Sequence, residues 1–77
     1  MMPKLPVCSA RQVLRVFECL GWKIHRQRGS HVSMHQDGNP ILLLVPDHKE
    51  LDTGTLRSLI RDAGISVERF IELLKDT

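Results

Sequence analysis

One short stretch of the chain, RQRGSHVSMH at residues 26–35, carries the side chains best suited to chemistry. Two arginines, Arg26 and Arg28, precede a Gly-Ser pair, and His31 and His35 follow it. Histidine accepts and donates a proton readily near neutral pH, and arginine binds phosphate through paired N–H donors. The stretch therefore has the groups that bind or cleave a phosphodiester, and its two histidines also raise the alternative of a metal site.

The local pattern around His31 and His35 decides against the metal alternative. Two histidines four residues apart on a helix lie on one face and can share a zinc ion. In HVSMHQ, however, Val32 and Met34 alternate with polar residues, which is typical of a strand. Four residues of a strand span about 13 Å, too far for two Zn–N bonds of about 2 Å. We therefore expect no metal and no other cofactor.

The charge of the chain is unevenly distributed. The formal net charge is +2 with neutral histidines, but no acidic residue lies between Glu18 and Asp37. The basic zone between them contains Lys23, His25, Arg26, Arg28, His31 and His35. Such a zone predicts an anionic partner, RNA, DNA or an acidic protein, although a solvated strand edge has the same composition.

Length and composition limit the class of protein. The 77 residues predict a single domain, 1–77, without room for a deep cofactor cleft. The longest apolar run, at 41–45, is far too short to span a membrane, and the N-terminus lacks the apolar core of a secretory signal. Cys8 and Cys19 have no disulfide or metal spacing, so we expect a cytoplasmic protein with reduced thiols and Cys19 at least half-buried in a helix.

Three apolar stripes predict helices. The first helix begins with the capping box SARQ at residues 9–12 and ends at Gly21. The second follows the loop PDHKELD, begins near Thr53 and ends at Gly64, and Ser66 caps a short last helix. The stripes contain Val13, Val16, Phe17 and Leu20, then Leu56, Leu59, Ile60 and Ala63, then Val67, Phe70, Ile71 and Leu74.

Three segments between the first two helices predict strands, WKIHRQR, HVSMHQ and ILLLV. Their turns, Gly29-Ser30 and DGNP, are short, so the strands form an antiparallel meander, in which we expect ILLLV to be central or fully covered. The order α-β-β-β-α-α predicts an α+β fold with the helices on one face of a three-stranded sheet, as in double-stranded-RNA-binding domains. That layout alone does not imply RNA binding.

The register of the first hairpin decides which side chains face outward. For the apolar residues of both strands to share the buried face, Ile24 must pair with Met34. A two-residue turn at Gly29-Ser30 would pair His25 with Met34 instead, so we expect a three-residue loop or an equivalent bulge. The outer face then carries Lys23, His25, Gln27, His31, Ser33 and His35.

This outer face has the groups needed to cleave RNA, whose 2′-hydroxyl must lose a proton while the leaving oxygen gains one. His31 would act as the base or the acid, Lys23, Arg26 and Arg28 would hold the phosphate, and Gly29-Ser30 would shape a turn that the phosphate can approach. A histidine in a strand is more often only structural. The residues alone therefore leave open a nuclease, a non-catalytic RNA-binding module and a protein-binding adaptor.

The third strand adds an apolar element to this face. Alternation along ILLLV places one set of aliphatic side chains outward, and Leu42 and Leu44 would then lie exposed beside His31. Exposed leucines next to a polar site invite a protein partner. We expect them to bind another protein or, through weak self-association, a second copy of this chain.

Longer segments of the chain carry a resemblance. They are LPVCSARQVLRVFECLGWKIHRQRGSHVSM and VPDHKELDTGTLRSLIRDAGISVERFIELL, within residues 4–74. The order and spacing of GW, RQRGSH, PDHKEL and GTLRSLIRDAGIS resemble the HicA family, the messenger-RNA interferases of bacterial HicA–HicB toxin–antitoxin pairs. The resemblance implies a double-stranded-RNA-binding-like fold, ribosome-independent cleavage of messenger RNA, and a HicB antitoxin that covers the active site.

The resemblance also implies residue roles. The family's catalytic histidine corresponds to His31, which makes a metal-independent endoribonuclease the favoured prediction. His48 matches the family pattern, and we expect it to orient its loop rather than to transfer a proton. Lys49 and Arg57 are candidate phosphate contacts, with a solvated charge as the alternative. No residue is assigned as the second proton-transfer group.

Overall fold

A computed structural model describes residues 4–76 of the chain. The elements are α1 (Ala10–Cys19), β1 (Lys23–Arg28), β2 (His31–Gln36), β3 (Asn39–Pro46), α2 (Thr53–Ala63) and α3 (Val67–Asp76). The predicted α+β class, the order α-β-β-β-α-α and the antiparallel three-stranded sheet are confirmed. Residues 1–3 and 77 of the predicted domain lie outside the described part.

The start of α1 is fixed by local sequence and by one distant loop. The Ser9 hydroxyl accepts a hydrogen bond from the Gln12 backbone N–H at 3.2 Å, and the Gln12 side chain accepts from the Ser9 N–H at 2.9 Å. This is the predicted capping box, which satisfies amides that lack a partner within the helix. The Ala10 N–H donates to the carbonyl of His48 at 3.0 Å. The loop after β3 is thereby fastened to the first helix.

The other two helices also begin where the sequence predicts, and α2 ends at Gly64 as predicted. The Asp52 carboxylate accepts from the Thr55 N–H at 3.3 Å at the start of α2. Gly64 closes α2 with a φ of 78°, a left-handed conformation that glycine adopts without strain. The Ser66 hydroxyl accepts from the Arg69 N–H at 3.0 Å and caps α3.

The core lies between the three helices and one face of the sheet. Its largest fully buried side chains are Trp22, Phe17, Phe70, Met34, Leu43, Leu56 and Ile60. The rings of Phe17 and Phe70 have centroids 6.0 Å apart and join α1 to α3. Each large apolar side chain buried in this way contributes roughly 1.5–3 kcal/mol to folding. The opposite face of the sheet has no helix against it in the described chain.

The strand order is β1-β2-β3, so β3 is an edge strand. The prediction that ILLLV is central or fully covered is therefore wrong. Leu43 and Val45 point into the core, whereas Leu42 and Leu44 are 53% and 59% exposed on the outer face. The run is continuously apolar because its outer face carries leucines as well as its inner face. Nothing in the described chain covers the outer leucines.

The first hairpin combines a two-residue turn with a bulge. Arg28 pairs with His31 across Gly29-Ser30, so the turn has two residues and the three-residue loop is wrong. The ladder then shifts between Ile24 and Arg26, leaving one extra residue in β1, and Ile24 pairs with Met34 as required. The equivalent bulge, the second option from the sequence, is the one the chain adopts.

The two-residue turn and the bulge together give β1 a different set of outward-facing side chains from the one predicted with a three-residue loop. Arg26 pairs with Ser33 and Arg28 with His31, so both arginines lie on the outer face. Gln27, predicted to face outward, pairs instead with Val32 on the helix side. There its Nε2 donates to Asp47 Oδ2 at 3.4 Å. The outer face is therefore more basic than the sequence analysis predicted.

Two predicted burials are also corrected. Ile24 is 51% exposed although it pairs with buried Met34, because β1 is an edge strand and Ile24 lies at the rim of the helix layer. Cys19 is exposed at the end of α1, not half-buried. Cys8 is the buried thiol; it donates to the carbonyl of Pro6 at 3.4 Å, and burial raises its pKa. Among residues 4–76, no helix is long and apolar enough to cross a bilayer.

The two faces of β3 should differ sharply in their tolerance of substitution. Leu43→Ala should lower the free energy of unfolding by about 2–5 kcal/mol because it leaves a cavity in the core. Leu42→Ser with Leu44→Ser should change it by no more than about 1 kcal/mol, since both side chains are exposed. Urea unfolding followed by the fluorescence of the single tryptophan, Trp22, measures both. Equal losses for the two variants would contradict the assignment of faces.

Candidate active site

An open cleft of about 500 Å³ lies on the outer face of the sheet, opposite the helices. Residues from all three strands line it: His25, Arg26, Arg28, His31, Ser33, Leu42 and Leu44. β1 and β2 supply the basic and polar side chains, and β3 supplies the two leucines. The cleft therefore has a cationic half and an apolar half.

His31 stands at the beginning of β2, directly after the turn. Its side chain is exposed on the open face of the sheet, and it pairs with Arg28 of β1 on one side and Pro46 of β3 on the other. Directly paired residues in antiparallel strands have Cβ atoms about 5 Å apart. The imidazole is therefore accessible to a ligand, and Arg28, the residue opposite it on β1, lines the same cleft.

The turn before His31 is held in place by the loop that follows β3. Gly29 has a φ of 60°, a left-handed conformation in which a side chain would strain the backbone although nothing lies within 4 Å of the space a Cβ would fill. The carbonyl of Ser30 accepts a hydrogen bond from the Asp47 N–H at 2.7 Å. The turn is thus open to an approaching ligand and at the same time fixed to the rest of the fold.

The two arginines of the cleft bear uncompensated charge. None of the lining residues is acidic, and neither Arg26 nor Arg28 takes part in an ion pair within residues 4–76. The Ser33 hydroxyl donates to the carbonyl of Arg26 at 3.1 Å and fixes the backbone at the bulge. Two guanidinium groups on a fixed backbone can bind an anion such as a phosphate.

The structure also places His25 in the cleft. The His25 and His35 rings contact each other edge to face, with centroids 5.4 Å apart and an interplanar angle of 73°. The sequence predicts both histidines on the outer face but indicates no role for either. The sequence feature that includes both histidines is the basic zone without acidic residues. That feature does not show which of its side chains contact each other.

The other predicted site residues lie outside the cleft lining. Lys23 pairs with His35 beyond one end of it, and its Nζ lies 3.5 Å from Asp37 Oδ2. Lys49 is exposed in the loop after β3. Arg57 lines a separate depression between α2 and α3. Phosphate binding by these three cations stays a prediction, and for Arg57 it concerns another surface.

The backbone of His48 holds its loop, because its carbonyl accepts a hydrogen bond from the Ala10 N–H of α1 and its N–H donates to the carbonyl of Pro46 at 2.9 Å.

His31 and His35, the two histidines with the spacing of a possible metal site, both lie in the strand β2, as predicted. Within residues 4–76, no three His, Cys, Asp or Glu side chains are grouped so that they could hold a metal ion.

Comparison with known proteins matches the chain to a family model. A family model described as "HicA toxin of bacterial toxin-antitoxin" matches residues 10–65 of the 77-residue chain. The matched part runs from the start of α1 to just beyond α2 and contains every residue that lines the cleft. No curated protein matches the chain.

The uncompensated charges of Arg26 and Arg28 should contribute directly to the binding of a polyanion. Replacing Arg26 and Arg28 by alanine should weaken binding of a single-stranded deoxyoligonucleotide at low salt about tenfold or more. It should also reduce the slope of log K against log salt by about 1.4, or about 0.7 per lost phosphate contact. Fluorescence anisotropy across a salt series measures both quantities.

A variant matched in charge provides the control. Arg61→Ala with Arg69→Ala removes two exposed cations from α2 and α3, on the helix layer, where each faces an acidic neighbour. That double variant should bind the oligonucleotide within about twofold of the original protein, since long-range charge effects are screened beyond about 10 Å. Equal weakening by both double variants would mean that net charge, not the cleft, governs binding.

Proposed function

We propose that this chain, which belongs to the HicA toxin family of bacterial toxin–antitoxin systems, is a metal-independent endoribonuclease that cleaves messenger RNA in the outer-face cleft. Membership of the family makes it the toxin of such a pair. The observation that carries the nuclease proposal is that the exposed residue His31 lines one cleft with Arg26 and with Arg28, its partner across the hairpin. A messenger-RNA target places the protein's action in the bacterial cytoplasm.

The proposed reaction uses RNA's own nucleophile. The 2′-hydroxyl loses its proton and its oxygen attacks the adjacent phosphorus, while the bond from phosphorus to the 5′-oxygen of the next nucleotide breaks. The departing oxygen takes up a proton, so the products carry a 2′,3′-cyclic phosphate and a 5′-hydroxyl. His31 transfers one of these protons, because an imidazole is efficient as either acid or base near neutral pH.

The arginines act on the charge that builds up at the phosphate. Negative charge on the non-bridging oxygens increases when the 2′-oxygen attacks, and a guanidinium group placed there stabilises the transition state more than the ground state. Arg28 lies directly beside His31, and Arg26 lies one outward-facing position further along β1. A phosphate above this pair would contact both cations and the imidazole at once.

The shape of the cleft favours a single-stranded substrate. The cleft is a shallow depression on an open sheet, and its apolar half, Leu42 and Leu44, offers a surface for an unpaired base. A flexible single strand can also rotate its 2′-oxygen into line with the leaving oxygen, which a regular duplex resists. Proteins recognise such unpaired bases through apolar and aromatic side chains.

The same leucines support a proposal for the antitoxin. Leu42 and Leu44 are more than half exposed and continuous with the cationic half of the cleft. An antitoxin of the HicB type that presents apolar and acidic side chains would bury the leucines and compensate the arginines, as interfaces commonly do. Its binding would exclude RNA because both occupy one surface.

Substitution of His31 tests the nuclease proposal. His31→Ala and His31→Gln should each lower cleavage of a single-stranded RNA by about 10²-fold or more, because neither side chain transfers a proton. Both should bind an uncleavable 2′-deoxy analogue within a few-fold of the original protein. Cleavage is measured with purified, nuclease-free protein in the presence of a chelator. Retained cleavage by both variants would reject the proposal, and a loss in the alanine variant alone would indicate that His31 only hydrogen-bonds the phosphate.

Substitution of the leucines tests the antitoxin proposal. The Leu42→Ser, Leu44→Ser variant should require at least about tenfold more of a HicB-type antitoxin that inhibits the original protein for half-inhibition of cleavage, a loss of about 1.4 kcal/mol or more. The matched control is Val7→Ser, since Val7 is 72% exposed in the segment before α1 and lies outside the cleft lining. Equal inhibition of all three proteins would show that the antitoxin binds elsewhere.

A further inference from the structure

The proposed reaction requires two proton transfers, and His31 accounts for one of them. We propose that His25 is the second proton-transfer residue, so that His25 and His31 act as the acid–base pair of the cleft. This inference rests on the proposed endoribonuclease activity and adds a second catalytic residue to it. One imidazole takes the proton of the 2′-hydroxyl, the other gives a proton to the 5′-oxygen, and water then restores both protonation states.

The bulge in β1 is the feature that brings His25 to the cleft. With the same two-residue turn and a regular ladder, residues 28 and 26 would face outward and residue 25 would face the helices, because side chains alternate along a strand. The extra residue between Ile24 and Arg26 breaks this alternation. His25, Arg26 and Arg28 therefore share one face and line one cleft. Bulges next to active sites commonly re-aim a side chain in this way.

The positions of the two histidines suit an in-line displacement, in which the entering and leaving oxygens lie on opposite sides of the phosphorus. The pair formed by Arg26 and Ser33 lies between His25 and His31 on the outer face. Strand geometry puts the two histidine backbones roughly 10 Å apart. Each side chain can then reach one side of a phosphate that Arg26 holds between them.

The surroundings of His25 are cationic and apolar. Its own strand contributes Arg26 and Arg28 to the shared cleft, β2 contributes His31 and the edge-on ring of His35, and β3 contributes Leu42 and Leu44. The helices lie on the other side of the sheet. None of the residues that line the cleft is acidic, and the carboxylate of Asp37, in the turn after β2, lies 3.5 Å from Lys23 Nζ.

His35 acts on His25 as a positioning residue. Edge-to-face contact between two rings restricts the orientation of an exposed partner. His35 is half-buried and does not line the cleft, whereas His25 does. We therefore expect His25 to move the proton while His35 holds the His25 ring in place.

The pH dependence of cleavage tests the inference. The rate constant for cleavage of a short single-stranded oligoribonucleotide by the original protein should follow a bell-shaped pH profile. His25→Ala and His25→Gln should each lower the maximum about 10²-fold or more and abolish one limb of the bell. Loss of the acidic limb identifies His25 as the base, and loss of the alkaline limb identifies it as the acid. His31→Ala should lose the other limb.

Control variants separate proton transfer from other roles. His35→Phe keeps a ring against His25 but cannot titrate, so it should retain both limbs. Trp22 fluorescence shows whether the two His25 variants are folded. If both are folded and both retain the two limbs of the pH profile, the inference is overturned. A rise in KM would then mean that His25 only binds the substrate. Failure of the original protein to cleave any RNA would overturn the proposed function itself.

Discussion

The site depends on one constraint, the register of the hairpin formed by β1 and β2. A two-residue turn fixes Arg28 opposite His31, and the apolar pattern requires Ile24 opposite Met34. Both conditions hold only if one residue of β1 is left out of the ladder, because side chains alternate with a period of two. The turn places Arg26 and Arg28 on the open face, and the bulge keeps Ile24 on the helix side of the sheet while it adds His25 to the open face. The residue left out of the ladder therefore gives the cleft its second histidine.

One face of the sheet contributes to stability, and the opposite face carries the groups that can do chemistry. The helices cover the inner face and supply the apolar burial that a small domain needs, and the outer face is left free for ligands. The loop after β3 links the two functions. Its backbone binds the first residue of α1, Ala10, and also the carbonyl of Ser30 in the turn before His31. The position of the imidazole is thus tied to the most buried helix.

The helices and strands could be predicted because caps, turns and apolar patterns are local features of the sequence. The site could be predicted only in part, because it depends on pairing between residues that are distant in the sequence. The caps at Ser9 and Ser66 and the turn at Gly29-Ser30 follow from neighbouring residues, and the structure has all of them. The outward direction of Arg26 does not follow, because partners on another strand decide between a three-residue loop and a two-residue turn followed by a bulge. An apolar run such as ILLLV also does not show whether its strand is central or lies at an edge of the sheet. A charged residue such as Arg57 does not show which surface of its helix will be exposed.

The central claim is that the cleft uses the 2′-hydroxyl of RNA and side-chain proton transfer, and the chemistry of the product ends tests it most directly. Purified protein can be incubated with a single-stranded oligoribonucleotide in the presence of a chelator, and the fragments identified by mass spectrometry. The account predicts 2′,3′-cyclic phosphate and 5′-hydroxyl ends, and no cleavage where the nucleotide 5′ of the scissile bond is 2′-deoxy. Fragments with 3′-hydroxyl and 5′-phosphate ends, or cleavage at the deoxy position, would contradict it.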